Sequence, residues 1–141
     1  IANIDHVAET IAVNMVSIGR ERLERRFTLS RETIARFQPF TSRVRESYQL
    51  AIKALDEKDA EAAAAVPDMK AEVDRMSHEM VEYLSVRLLS DDPDRAVLYR
   101  VESRLVELIQ RIYYFSSVIA AEILKESQSA EEARARYDMA S

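Results

Sequence analysis

Cysteine is absent from the 141 residues, which excludes disulfides, thiolate nucleophiles and Cys-ligated zinc or iron–sulfur centres together. The same absence leaves the redox compartment open. Glycine occurs once and proline three times, against a usual glycine share of about 7%, so there is little material for turns between strands. This predicts an all-α fold. No stretch reaches the roughly 18 apolar residues of a membrane span, and the opening residues do not read as a secretory signal. Missing too are a Gly-rich phosphate loop, a nucleophile elbow, paired catalytic carboxylates and any Glu-x-x-His step of a di-iron bundle. Enzyme activity has no residues to rest on, and no cofactor is expected. The formal net charge of −5, with signs mixed along the chain, argues against a nucleic-acid partner, which requires a clustered basic field.

What is present is helical periodicity. A chain of about this length can bury roughly 68–70% of its unfolded surface, enough for one domain without metal or disulfide. From Arg95 to Leu124, Val97, Val101, Leu105, Leu108, Ile112, Phe115, Ile119 and Ile123 recur at steps of three or four, which stacks them on one helix face. Nothing breaks this run, and such a rod extends to about 40 Å. Leu98, Ile109, Tyr113 and Val118 flank the stripe, so helices should pack against it on more than one side.

In chain order, Ile4, Val7, Ile11, Met15 and Ile18 form a first amphipathic helix with Ala8 and Ala12 alongside, ended by Gly19. The periodicity begins at residue 1, which is not Met, so the chain reads as a fragment whose first helix has lost its beginning. Ser30 is the N-cap candidate of a second helix, about Arg31 to Glu57, with Ile34, Phe37, Val44, Tyr48, Ile52 and Leu55 inward and a kink near Arg36 caused by Pro39. The link Asp56–Asp59 is short enough to force an antiparallel neighbour, with Asp59 as the next N-cap. The alanine run at Ala62–Ala65 favours helix, and Pro67 should kink or restart it. Val66, Met69, Val73, Met76, Met80, Tyr83 and Leu84 then follow a seven-residue rhythm through Leu88. Ser90-Asp91-Asp92-Pro93-Asp94 is a turn, and beyond Lys125 a polar tail is either a short extra helix or frayed. The architecture predicted is an up-and-down antiparallel bundle of three long helices plus the N-terminal one.

The segment KAEVDRMSHEMVEYLSVRLL, an acidic turn, and VESRLVELIQRIYYFSSVIAAEIL together resemble the PhoU-like domain at the C-terminus of bacterial sodium/phosphate cotransporters. The likeness lies in Arg87-Leu88 closing one helix and Arg111-Ile112 within the next, and IDHVAETIA resembles the equivalent part of a preceding PhoU repeat. The resemblance implies residues 1–19 as the last helix of that repeat, 20–30 as connector, 31–125 as a three-helix PhoU-like bundle and 126–141 as a polar tail. It further implies a regulatory domain on the cytoplasmic side of the bacterial inner membrane, with the transporter portion of the same chain as partner and phosphate uptake as the subject. Some PhoU proteins hold iron or zinc through a Glu-x-x-x-Asp motif. Here the matching positions are Gln110 and Tyr114, and Ala2 and His6, poor replacements for hard anionic ligands, so no metal site is carried over.

The remaining candidates are weighed on their surroundings. Asp74 and His78 share a helix face four residues apart, and read as a solvated pair rather than ligands. A metal-binding alternative would draw on Asp5, His6, Asp74, His78 and Glu79. Six arginines between Arg20 and Arg36 offer contact with a membrane surface, diluted by Glu21, Glu24 and Glu32. Arg111, Tyr113 and Tyr114 cannot all face one core, so at least one tyrosine should approach the surface. With Arg87 these are the candidate partner contacts, Glu107 offering Arg111 an intrahelical bridge. Apolar surface left over by the bundle predicts a homodimer.

Overall fold

The structure is a computed structural model that describes residues 29–140 and, before them, Val13. Every regular element among the described residues is a helix: α1 (Arg31–Glu57), α2 (Ala60–Asp68), α3 (Lys70–Leu88) and α4 (Arg95–Ala140). The predicted all-α bundle is the fold found. Apart from Val13, the helix expected over residues 1–19, and residues 20–28 of the connector, lie outside the described residues. Among those described, no helix is long and apolar enough to cross a membrane.

The helix ends follow the local chemistry. Ser30 has an extended backbone and its hydroxyl accepts from the Thr33 amide at 3.1 Å, giving α1 its N-cap. At the other end Lys58 sits in the left-handed region (φ 54°, ψ 37°), and the amides of Lys58 and Asp59 both return to the Ala54 carbonyl. This is the reversal that usually recruits glycine. Asp59 then caps α2 by accepting from the Ala62 amide at 3.0 Å. Pro67 restarts the helix as expected: α2 stops at Asp68, buried Met69 intervenes, and α3 begins at Lys70. The acidic turn is closed by the Asp94 amide donating to Asp92 Oδ1 and by the Arg95 amide donating to the Asp92 carbonyl. The polar stretch after Lys125 is neither a separate helix nor frayed, since α4 continues through it to Ala140.

The core is assembled from seams of heptad spacing. On α1 the buried seam is Thr33, Phe37, Phe40, Val44, Ser47, Ala51 and Ala54, alternating steps of four and three. This corrects the expected inward face. Phe37 and Val44 are buried and Ile52 is half-buried, but Ile34 is 51% exposed, Tyr48 40% and Leu55 38%. The reason is steric: small residues such as Ala51 and Ala54 allow α1 and α2 to approach closely, and bulky neighbours are displaced to the flank.

α4 contacts all three other helices and buries two adjacent seams. One is the expected stripe, in which Val101, Leu108, Phe115, Ile119 and Ile123 are buried and Leu105 and Ile112 partly so. The other runs through Glu102, Val106, Ile109, Tyr113, Ser116 and Ala120. Buried hydroxyls are satisfied within the helices, Ser47 donating to the Val44 carbonyl at 2.6 Å and Ser116 to the Ile112 carbonyl at 2.9 Å. Leu88, expected to continue the α3 stripe, is 40% exposed, whereas Leu84 one turn earlier is buried.

Two predictions come from the α1–α2 link. Lys58→Gly should stabilise the fold by about 0.5–1 kcal/mol, because relief of left-handed strain exceeds the added freedom of the unfolded chain. Thermal unfolding checks the direction, and a lowered midpoint would contradict it. The Asp59 carboxyl is held below its ordinary value first by the Ala62 amide and then by the hydrogen bond to Lys53. A depressed carboxylate contributes stability that is present above the unfolded-state value and lost as pH falls through the folded one. Asp59→Asn, which keeps a capping side chain, should therefore flatten the acid limb of the stability–pH curve below about pH 4. An unchanged limb would contradict this.

Candidate functional site

The start of α1, the end of α3 and the start of α4 meet in a polar cluster. Thr33, fully buried on the α1 seam, shares its hydroxyl with Ser30 (2.8 Å), Tyr83 (3.3 Å) and the Arg87 guanidinium. Arg87 Nη1 also donates to the Tyr83 hydroxyl at 3.2 Å. Its position in the last turn of α3 places a cation against the negative end of the helix dipole. Arg36 lies over the Tyr83 ring with 4.3 Å from its guanidinium carbon to the centroid, and is also held by Glu32 at 3.4 Å.

Beneath this sits a buried ion pair. Arg95 and Glu102 are 2% and 1% exposed, with Arg95 Nη2 donating to Glu102 Oε2 and Arg87 Nη1 at 3.8 Å from Glu102 Oε1. Arg95 Nε and Nη1 are buried without an acceptor. One carboxylate thus faces two guanidinium groups in a low-dielectric environment, and this pins the α3–α4 reversal to the base of α1. The cluster contains no nucleophile with an adjacent base. Its chemistry is that of a clasp.

The four residues singled out from sequence do not form one site, although Tyr113 and Tyr114 share a cavity wall. Arg87 belongs to the clasp. Tyr113 is buried and donates its hydroxyl to the Val66 carbonyl at 2.9 Å, beside the α2–α3 break. Tyr114 is the tyrosine that reaches solvent, at 64% exposure, and Arg111 is exposed as well. Arg111 forms no ion pair with Glu107. The sequence reading missed Thr33, Arg95 and Glu102. A signal did exist, since Glu102 extends the seam of Val106, Ile109 and Tyr113 by one more step of four and lies seven residues from Arg95.

A cavity of ≈ 410 Å³ opens beside the α2–α3 break, where Lys70, Asp74, Gln110, Tyr113, Tyr114 and Ser117 contribute to its wall. It contains both Gln110 and Tyr114, so a metal of the kind some PhoU proteins hold can be tested against its donors. Asp74 is its carboxylate, and Lys70 binds it at 2.5 Å. That hydrogen bond raises the lysine's pKa and keeps the ammonium in place. Gln110 is turned to Ser77, donating at 2.5 Å. One neutralised carboxylate, an amide and a phenol do not fit a multinuclear metal centre. Among the described residues no group of three or more His, Cys, Asp or Glu side chains is arranged to hold an ion. His78 is exposed against Glu82 at 3.4 Å, and Glu79 pairs with Arg75. Asp5 and His6 lie outside the described residues.

The clasp generates a thermodynamic prediction. Glu102→Leu leaves two guanidinium charges without their buried carboxylate and should cost about 3–5 kcal/mol in urea unfolding. Adding Arg95→Met should restore much of that loss, because a hydrophobic pair of similar volume removes the uncompensated charge and its unpaired donors. A double variant no more stable than the single one would show that the pair is not coupled.

Comparison with known proteins gives one match, the PhoU domain, over residues 40–123. No curated protein and no solved structure matches the chain. The matched span covers more than half of the sequence, from the middle of α1 through the α2–α3 break to Ile123, the last residue of the α4 apolar stripe. The chain therefore belongs to the PhoU domain family.

Proposed function

We propose that this protein is a non-enzymatic regulatory domain of a sodium-dependent phosphate transporter, lying on the cytoplasmic side of the bacterial inner membrane. The observation that carries this reading is the PhoU match on an all-helical bundle whose buried polar groups serve packing. Regulation in a phosphate context follows from family membership. Attachment to a transporter rests on the resemblance of Arg87-Leu88 and Arg111-Ile112 to the domain carried by such cotransporters.

A domain of this kind acts by presenting shaped helix faces. Arg111 and Tyr114, three residues apart and both exposed on α4, are the proposed contact residues, beside the cavity at the α2–α3 break. The exposed end of α3, with Val86 at 69% and Leu89 at 85%, is a second apolar face open to the same partner. The metal-binding alternative gains no support from the Asp74, His78 and Glu79 side chains, each of which is taken up by a neighbouring charge.

The test is sodium-dependent uptake of radiolabelled phosphate in cells carrying the parent gene. Arg111→Glu with Tyr114→Ala should leave the helical circular dichroism signal intact and change uptake several-fold at fixed external phosphate. Uptake that is indifferent both to this variant and to deletion of residues 31–125 would overturn the reading.

A further inference from the structure

α1 and α4 leave an apolar groove between them, ≈ 370 Å³ in volume. That lies within the roughly 300–1,000 Å³ of small-molecule sites. Its floor is hydrocarbon: Val44, Ile109 and Phe115 are buried and Ile112 is half-buried. Its mouth is different. Thr41 and Tyr48, both exposed, mark about 10 Å along α1, and the Tyr48 ring stacks on Phe115 with centroids 6.5 Å apart. Between them stands Arg45, exposed, the one charged side chain of this wall among the described residues.

Arg45 differs from nearby arginines in having no acid to meet. Arg43 is held by Glu46 and Glu72, and Arg36 by Glu32. One turn away from Arg45 on α1 are Thr41, Ser42, Tyr48 and Gln49, none of them acidic, and Arg45 forms no ion pair among the described residues. The Thr41 hydroxyl is engaged by its own helix, donating to the Phe37 and Gln38 carbonyls at 3.0 Å. A guanidinium therefore stands at the edge of a hydrocarbon groove with its donors unengaged.

We infer that this groove binds a small amphipathic monoanion, an alkyl carboxylate of medium chain length, with its chain on Val44, Ile112 and Phe115 and its carboxylate on Arg45. The two halves of the ligand answer two features. An apolar groove alone accepts any hydrocarbon of the right size. A guanidinium beside it supplies a planar set of donors that fits a carboxylate, and the adjoining apolar wall keeps water from competing for them. Because Arg45 is exposed, the carboxylate stays at the mouth and only the chain leaves water, so no unpaired charge is buried. The length of groove between Thr41 and Tyr48 limits the chain to medium size.

The test is calorimetric titration of the full chain with octanoate and with 1-octanol, equal in chain length and different in charge, each kept below its micellar or solubility limit. One octanoate should bind per chain, on the order of tenfold more tightly than the alcohol. Arg45→Gln, a substitution at an exposed position, should abolish that preference and leave the affinity for octanol unchanged. Thr41→Phe, which fills the mouth from an exposed position, should weaken both ligands on the order of tenfold. Circular dichroism checks that each variant keeps its helical content. Equal affinity for acid and alcohol, a preference that survives Arg45→Gln, affinities indifferent to Thr41→Phe, or no binding at all would each overturn the inference. Phosphate uptake is not a readout here, so this result stands or falls separately from the proposed function.

Discussion

The structure depends on α4 burying two adjacent heptad seams at once. A single seam would hold one neighbour. Two seams let α4 serve as the shared wall for α1 on one side and for α2 and α3 on the other. Everything else is arranged around that requirement. α1 and α2 pack through alanine so that both reach α4, and the α2–α3 break at Pro67 lets the second half of that rod follow the surface it must cover. The Tyr113 hydroxyl donates to the Val66 carbonyl one residue before Pro67, so the central helix itself serves the break that its own packing needs.

The two ends of the bundle are secured differently. At the α1–α2 end the work is done by backbone reversal and capping, with Lys58 in a conformation that strains a side chain and Asp59 ordering the next helix. At the opposite end the α3–α4 turn is exposed and acidic, and stability comes from below it, where Glu102 sits between Arg95 and Arg87 and Thr33 ties the guanidinium of Arg87 to α1. A buried charge cluster is a poor source of net stability but a strict specifier of geometry, because any slip leaves a charge without its counterpart. This clasp fixes the register of three elements while the apolar seams supply the driving force.

The cavity at the α2–α3 break has its carboxylate occupied by a lysine and its amide by a serine. The helix surface exposed among the described residues includes Arg111 and Tyr114 on α4 and the apolar end of α3. Membership of the PhoU domain family gives these faces a regulatory context.

By itself the amino-acid sequence determined the helical class, the caps at Ser30 and Asp59, the restart at Pro67, the acidic turn and the large apolar stripe of α4. Each of these follows from propensity or spacing within a few residues, where the competing conformations are local. Only the tertiary structure decided which face of α1 is inward, because periodicity marks a stripe of large side chains, whereas close helix approach selects the small ones at Ser47, Ala51 and Ala54. It decided likewise that Glu102 and Arg95 are interior and that Tyr113 turns in while Tyr114 turns out. A charged residue on a seam is read as solvent-facing until a second charge, brought by another turn of chain, is seen to meet it, and neighbouring tyrosines are separated only by the position of the helix they pack against.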